Sequence, residues 1–151
     1  MVGHFPFAKQ RIRIRTMLGN LDPLETLFLI VFAFSGAVQL VSGVRPGSID
    51  ASMPPAFRTV WMWIFLIGSV VALAGCLWLG NRVNGLTFEH IGLWWVGLAL
   101  VVYGGAQIYA ATKTEMPASG AILAGPLTIT LGVAFIWKAV KIKQTLNGFK
   151  I

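Results

Sequence analysis

Charge is what this chain has least of. Only 11% of its 151 residues are Asp, Glu, Lys or Arg, where a soluble globular domain carries about 25%. Apolar residues make up 56%, and the mean hydropathy is +0.76. A soluble domain is excluded on that balance. Disorder is excluded as well, because it needs low hydrophobicity and high net charge. The 17 Gly follow no period of three, which excludes collagen. The single cysteine, Cys76, excludes an internal disulfide and is expected to pack as a small hydrophobe. The two histidines, His4 and His90, lie far apart with no Cys partner and make no recognisable metal site. No GxxxxGK[ST], HExxH, GxSxG or CxxC run is present. Phosphate-cradling, metal-assisted and nucleophilic chemistry therefore lack visible apparatus. The expectation is a non-enzyme with no cofactor.

What is present is a set of long apolar runs. A helix needs roughly 20 apolar residues to cross a bilayer. Four runs are long enough: about Pro23–Val44, Phe57–Gly80, Phe88–Thr112 and Ser119–Ile142. The expected fold is an all-α membrane protein, a four-helix transmembrane bundle with short loops. A basic tail, 1–22, precedes the membrane domain, 23–142, and a short tail, 143–151, follows it. Asp22-Pro23-Leu24-Glu25 reads as an N-cap, a proline at N1 and a carboxylate at N3. Pro54-Pro55 fit the start of the second span, and Gly80-Asn81 its end. Asn84-Gly85 reads as a turn. Thr87 reads as the cap of the third span, and Ser119, after Pro117, as a cap of the fourth. Pro126 is expected to kink the last span. The first apolar run is too long for a cleaved signal sequence, whose apolar region spans 7–15 residues.

The charges give an orientation. Lys9, Arg11, Arg13, Arg15, Arg82, Lys138, Lys141, Lys143 and Lys150 fall on one side, against Arg45, Arg58 and Lys113 on the other. Nine against three places both termini of a multi-pass membrane protein in the cytoplasm. Lys9, Arg11, Arg13, Arg15, Arg82, Lys138, Lys141 and Lys143 are thus read as topology or lipid-headgroup residues. The net charge of +7 is assigned to this role and not to nucleic acid. Trp61, Trp63 and Tyr109 are expected at the outer interface, and Trp78 and Trp137 at the inner one. The tail reads as a topology anchor. A surface-lying segment and a strand for a partner's edge are its alternatives.

Membrane helices associate through small residues and polar glue. Ser35, Gly36, Gln39, Ser42 and Gly43 mark such a stripe in the first span, and Gly68, Ala72 and Gly75 in the second. The third offers Gly97, Gly104 and Gln107, and the fourth Ala121, Gly125, Thr128 and Gly132. These faces pack either within the chain or against another copy. Gln39 and Gln107 are the most polar side chains deep in any span, expected to pair with each other or with Thr128 or Thr130. No ionisable residue lies near a midplane. Glu25 is too shallow for a coupled transporter. Glu89 is expected to form an interfacial ion pair with Lys138 or Arg82.

Beyond composition, several residues carry a resemblance: Ser48-Ile49-Asp50, Pro54-Pro55, Arg58, Trp61, Gly68 to Gly75, Glu89, Gly92-Leu93, Gly104-Gly105-Ala106 and the Lys-rich end. From about Leu21 to Lys143 the chain resembles small four-span membrane proteins of actinobacterial phages, some of which are holin-like. The resemblance implies a protein that assembles in the host inner membrane and permeabilises it. It carries over no site residue. The expected partners are membrane lipid and a second copy or another membrane protein. A membrane anchor or exclusion factor, and a small channel or transporter, are the alternatives.

Overall fold

The computed structural model describes residues 22–44, 47–113 and 119–148. The basic residues Lys9, Arg11, Arg13 and Arg15, together with Arg45 and Pro117, lie outside them, as do the side chains of Ser119 and Ala121. The described residues form helices α1 (Pro23–Ser42), α2 (Gly47–Ser52), α3 (Pro55–Cys76), α4 (Arg82–Lys113) and α5 (Ser119–Gly148). No strand occurs among them. Four helices are long and apolar enough to cross a membrane: α1, α3, α4 and the part of α5 from Leu123. At 1.5 Å per residue, α1 is about 30 Å long and matches the hydrocarbon thickness. With 32 and 30 residues, α4 and α5 exceed it.

The helices pack in the order α1, α3, α4, α5, and α2 rests on α4 and α3. Long side chains close the ring between its ends. Phe32 of α1 meets Phe135 of α5 edge-on, with ring centroids 6.2 Å apart. The core lies among these helices and includes Leu29, Trp61, Phe65, Leu93, Val96 and Phe135. The outer surface is apolar too: Phe34, Val41, Leu123, Leu127 and Trp137 are each exposed. In water such a surface would aggregate, whereas in lipid it is the natural outside.

Close approach between the helices depends on missing side chains. A Cβ on Gly92 would lie 2.6 Å from the Ala72 Cα, and one on Gly75 would lie 2.7 Å from the Gly85 carbonyl oxygen. On the other side of α4, a Cβ on Gly97 or Gly104 would lie 2.8 or 2.7 Å from the carbonyl oxygens of Gly132 and Gly125. These two glycine rows are about 140° apart around α4, at 100° per residue. The central helix can therefore touch α3 and α5 at backbone distance at once. Van der Waals contact of this kind drives helix association in lipid, where burial of apolar surface does not.

The end of the bundle that carries α2 is held by Arg58. Its guanidinium donates to Met53 O (2.5 Å), Asp50 Oδ1 (2.7 Å) and Asp50 O (2.7 Å). Ile49 is driven into the core beneath. This three-point clamp ties α2 to the start of α3.

Several sequence expectations need correction. α3 ends at Cys76 and not at Gly80, and α4 begins at Arg82. Asn84-Gly85 and Thr87 are thus helical, and Asn81 Oδ1 caps α4 by accepting from Val83 N (3.0 Å). Burial explains the shift, because Gly85 fills the gap beside Gly75 and is needed inside the helix. Gly43 is no packing residue. It closes α1 with φ of 68°, a left-handed cap suited to glycine. Trp61 is no interface anchor either. It is buried between Phe65 and Tyr103, and its Nε1 donates to Ala99 O (3.0 Å).

Gly92→Ala should lower stability by about 1–3 kcal/mol through overpacking. Gly105→Ala, where a Cβ meets nothing within 4 Å, should raise it by up to about 1 kcal/mol through helix propensity. Denaturant unfolding of both variants in the same detergent measures the contrast.

Candidate functional site

At the end of the bundle opposite the Arg58 clamp, four helices bring together the deepest charged groups. α1 starts there because Asp22 Oδ1 accepts from Leu24 N (3.1 Å) and Glu25 N (3.4 Å). This cap sets Glu25 in the first turn, where the helix dipole favours a carboxylate. α3 ends there at Cys76. The contact of Gly75 with the backbone at Glu89 brings α4 to the same level. From α5, Lys138 reaches in.

Lys138 Nζ donates to Glu25 Oε2 and to Glu89 Oε1, the latter at 3.1 Å. The Glu25 side chain is only 5% exposed and that of Glu89 12%, against 37% for Lys138. The ion pair expected for Glu89 forms with Lys138, not with Arg82, and Glu25 joins it. Glu25 is therefore not merely a shallow residue of the first turn. Its position along α1 is shallow, but the neighbouring helices extend past it and bury it. Glu25 Oε1 is buried and has no hydrogen-bond partner. The Cys76 thiol completes the group: one ligand atom from each of Glu25, Cys76 and Glu89 lies within 4.8 Å of the others. Cys76 thus sits beside carboxylates, where an apolar setting was expected. With a neutral thiol, two carboxylates face one ammonium, a formal excess of one negative charge.

One residue further along, His90 bonds through Nδ1 to Ala139 O (2.8 Å). A carbonyl only accepts, so Nδ1 carries the proton. His90 and Lys138 together fasten α4 to α5 at this end.

Toward the other end the polar pairing is partly as expected. Thr128 Oγ1 lies 3.3 Å from Gln107 Oε1 and 2.7 Å from Ala124 O, so its one hydroxyl proton is shared between the two acceptors. Gln39 pairs with neither Gln107 nor Thr130. Its Nε2 donates to Ser35 Oγ one turn earlier (3.1 Å), and its Oε1 is buried without a partner. Thr130 instead bonds back to Pro126 O (2.9 Å). A cavity of about 270 Å³ lies against α4, lined by Met53, just past the end of α2, and by Val102, Gly105, Ala106 and Tyr109. It contains no charged group.

The glycines of the stripes, Gly43 apart, fall inside the chain. Gly36 faces Leu66, Gly68 faces Trp95 and Val96, and Ala72 faces Gly92. Gly75 faces Gly85 and Glu89, while Gly97 and Gly104 face Gly132 and Gly125. Among the lipid-headgroup candidates, Arg82, Lys141 and Lys143 are exposed near the ionic end. Lys141 lies over the Trp137 ring (5.8 Å). Lys138 departs from that role, since the cluster holds it.

The sequence reading missed Gly85 and Gly92 as packing residues and Cys76 as a neighbour of the carboxylates. Gly92 lies seven residues after Gly85 and five before Gly97, a spacing that marks one more small-residue row. The Cys76 contact had no such signal, because it depends on where α3 stops.

No protein-family model, curated protein or solved structure matches this chain.

Replacing Lys138 with Met leaves two buried carboxylates facing each other. The expected cost is about 3 kcal/mol, the low end for breaking a buried pair because Lys138 is partly exposed. Adding Glu25→Gln to Lys138→Met should recover part of it, and thermal unfolding of the single and double variants reads the coupling.

Proposed function

We propose that this chain is a holin-like membrane protein that self-associates in a bacterial inner membrane and permeabilises it. Both termini lie in the cytoplasm. Arg82, Lys141 and Lys143 at the ionic end support that orientation by the positive-inside rule. The phage resemblance supplies the class, and the observation that carries the mechanism concerns α1. Only Glu25, Leu29 and Gly36 are buried along its 20 residues. Its two buried polar atoms without partners, Glu25 Oε1 and Gln39 Oε1, stand near opposite ends. Such atoms are costly in hydrocarbon. The helix is therefore held lightly, and it carries polar groups that a second copy can satisfy.

This reading revises where copies meet. The glycine faces of α3, α4 and α5 are used within the chain, so association runs through α1. Its release opens the polar row Ser35, Gln39 and Ser42 to other copies.

A second reading, a membrane anchor for another protein, is favoured by those same filled glycine seams. They make the bundle complete as a single chain. In that case the basic tail carries the contact.

Membrane potential after tightly induced expression, followed with a voltage-sensitive dye, tests the proposal. Abrupt collapse is expected, and it should come earlier for Lys138→Met, which unties α1. A steady potential at high, verified insertion overturns permeabilisation and leaves the anchor reading. Deleting residues 1–15 should then abolish partner capture without unfolding the bundle.

A further inference from the structure

We infer that Glu25, Cys76 and Glu89 form a binding site for one divalent transition-metal ion of the zinc class, with Lys138 as the outer partner of its carboxylates. The inference is independent of permeabilisation.

Three observations carry it. First, the donors converge. One atom each from Glu25, Cys76 and Glu89 lies within 4.8 Å of the other two. Zinc bonds of 2.0–2.3 Å place tetrahedral ligand atoms roughly 3.3–3.8 Å apart, so side-chain shifts of about 1 Å complete the set. The donors come from α1, α3 and α4, so a metal would join three helices at one point.

Second, the existing ion pair leaves room. Each carboxylate touches Lys138 through one oxygen, Oε2 of Glu25 and Oε1 of Glu89. The Glu25 side chain is 95% buried by its 5% exposure, and its Oε1 has no partner. Glu25 can thus ligate through Oε1 and keep Lys138 on Oε2. Metal-bound carboxylates are commonly held by an outer hydrogen bond of this kind.

Third, the charges close. Two carboxylates and one ammonium leave a formal excess of one negative charge in a largely buried place. A divalent ion with a thiolate, two carboxylates and Lys138 sums to zero, and the Asp22 carboxylate, which also acts on Lys138, adds to the pull on a cation. Binding releases the Cys76 thiol proton, since the thiolate is the ligand. A thiolate beside carboxylates selects a borderline-soft ion over calcium or magnesium, which take oxygen ligands. Three protein ligands leave a fourth position for water or another donor.

The test uses the full chain in detergent micelles, titrated with Co²⁺ and then with Zn²⁺. Cys76 is the only cysteine, so a thiolate-to-cobalt charge-transfer band in the unaltered protein reports that residue directly. The proposal expects the band to saturate at one ion per chain, to be displaced by Zn²⁺, and to come with a raised unfolding temperature. Cys76→Ser should abolish the band, and Glu89→Gln should weaken binding at least tenfold. Circular dichroism of each metal-free variant separates loss of a ligand from loss of the fold. Absence of saturable binding overturns the proposal. So does cobalt binding without the band, or binding that survives Cys76→Ser and disappears in His4→Ala.

Discussion

The bundle depends on how closely α3 can approach α4. In lipid there is no apolar burial to pull helices together, so contact must come from backbone surfaces that fit. Gly75, Gly85, Gly92 and Ala72 provide that fit. Everything at the ionic end follows from it. With Gly75 against the backbone at Glu89, the end of α3 and the second turn of α4 share one level, and the Cys76 thiol stands beside the Glu89 carboxylate. The opposite glycine row of α4, Gly97 and Gly104, draws in α5 and so delivers Lys138 to the same place. A side chain on any of these glycines would separate the helices and also the charged groups.

The glycine seams and the polar cluster also divide the work of specificity. Close packing sets the spacing between helices but tolerates small slips along the axis. Charged and hydrogen-bonded pairs do not tolerate them, because a slip of one turn would leave Glu25, Glu89 or His90 unpaired away from water. At the opposite end, Arg58 performs the same service for α2 with three donors on Asp50 and Met53. The register of the bundle is thus fixed at its two ends and made close in its middle.

Much of the fold was legible because lipid imposes simple rules. The four apolar runs near 20 residues, the cap at Asp22-Pro23 and the small-residue rows each follow from a single local requirement. The boundary between α3 and α4 was not legible. Asn84-Gly85 has the residue types of a turn, and only the tertiary gap beside Gly75 explains why Gly85 is helical. Trp61 was misplaced for a similar reason: its indole N–H finds the Ala99 carbonyl inside the bundle, a partner that no spacing reveals. At the candidate site, Glu89 and Lys138 were readable as a pair, because both lie near the same membrane face with opposite charge. The burial of Glu25 and the nearness of Cys76 were not. Both arise from α4 and α5 extending past the start of α1, a property of relative lengths and not of any motif.

α1 stands apart from this economy. The other long helices pack most of their glycines against one another, and α3 and α5 each bond to α4, through Trp61 with Ala99 and through Ala139 with His90. α1 touches α3 through Gly36, and it reaches α5 only by side chains, through Phe32 and Glu25. Both buried unpartnered side-chain atoms among the described residues belong to it. A helix in this position is stable in lipid because its outward face is apolar, yet its inward face is incompletely answered. What completes Glu25 and what completes Gln39 need not be the same thing. Near Glu25 the surroundings are a thiol, a second carboxylate and a lysine, a setting for a cation. Near Gln39 they are Ser35 and the helix end, a setting for another amide or hydroxyl. Under the proposed function, the ionic end is the lock on α1 and the Gln39 end the handle for a second copy. Strengthening the first should oppose use of the second, since both act on one rigid helix.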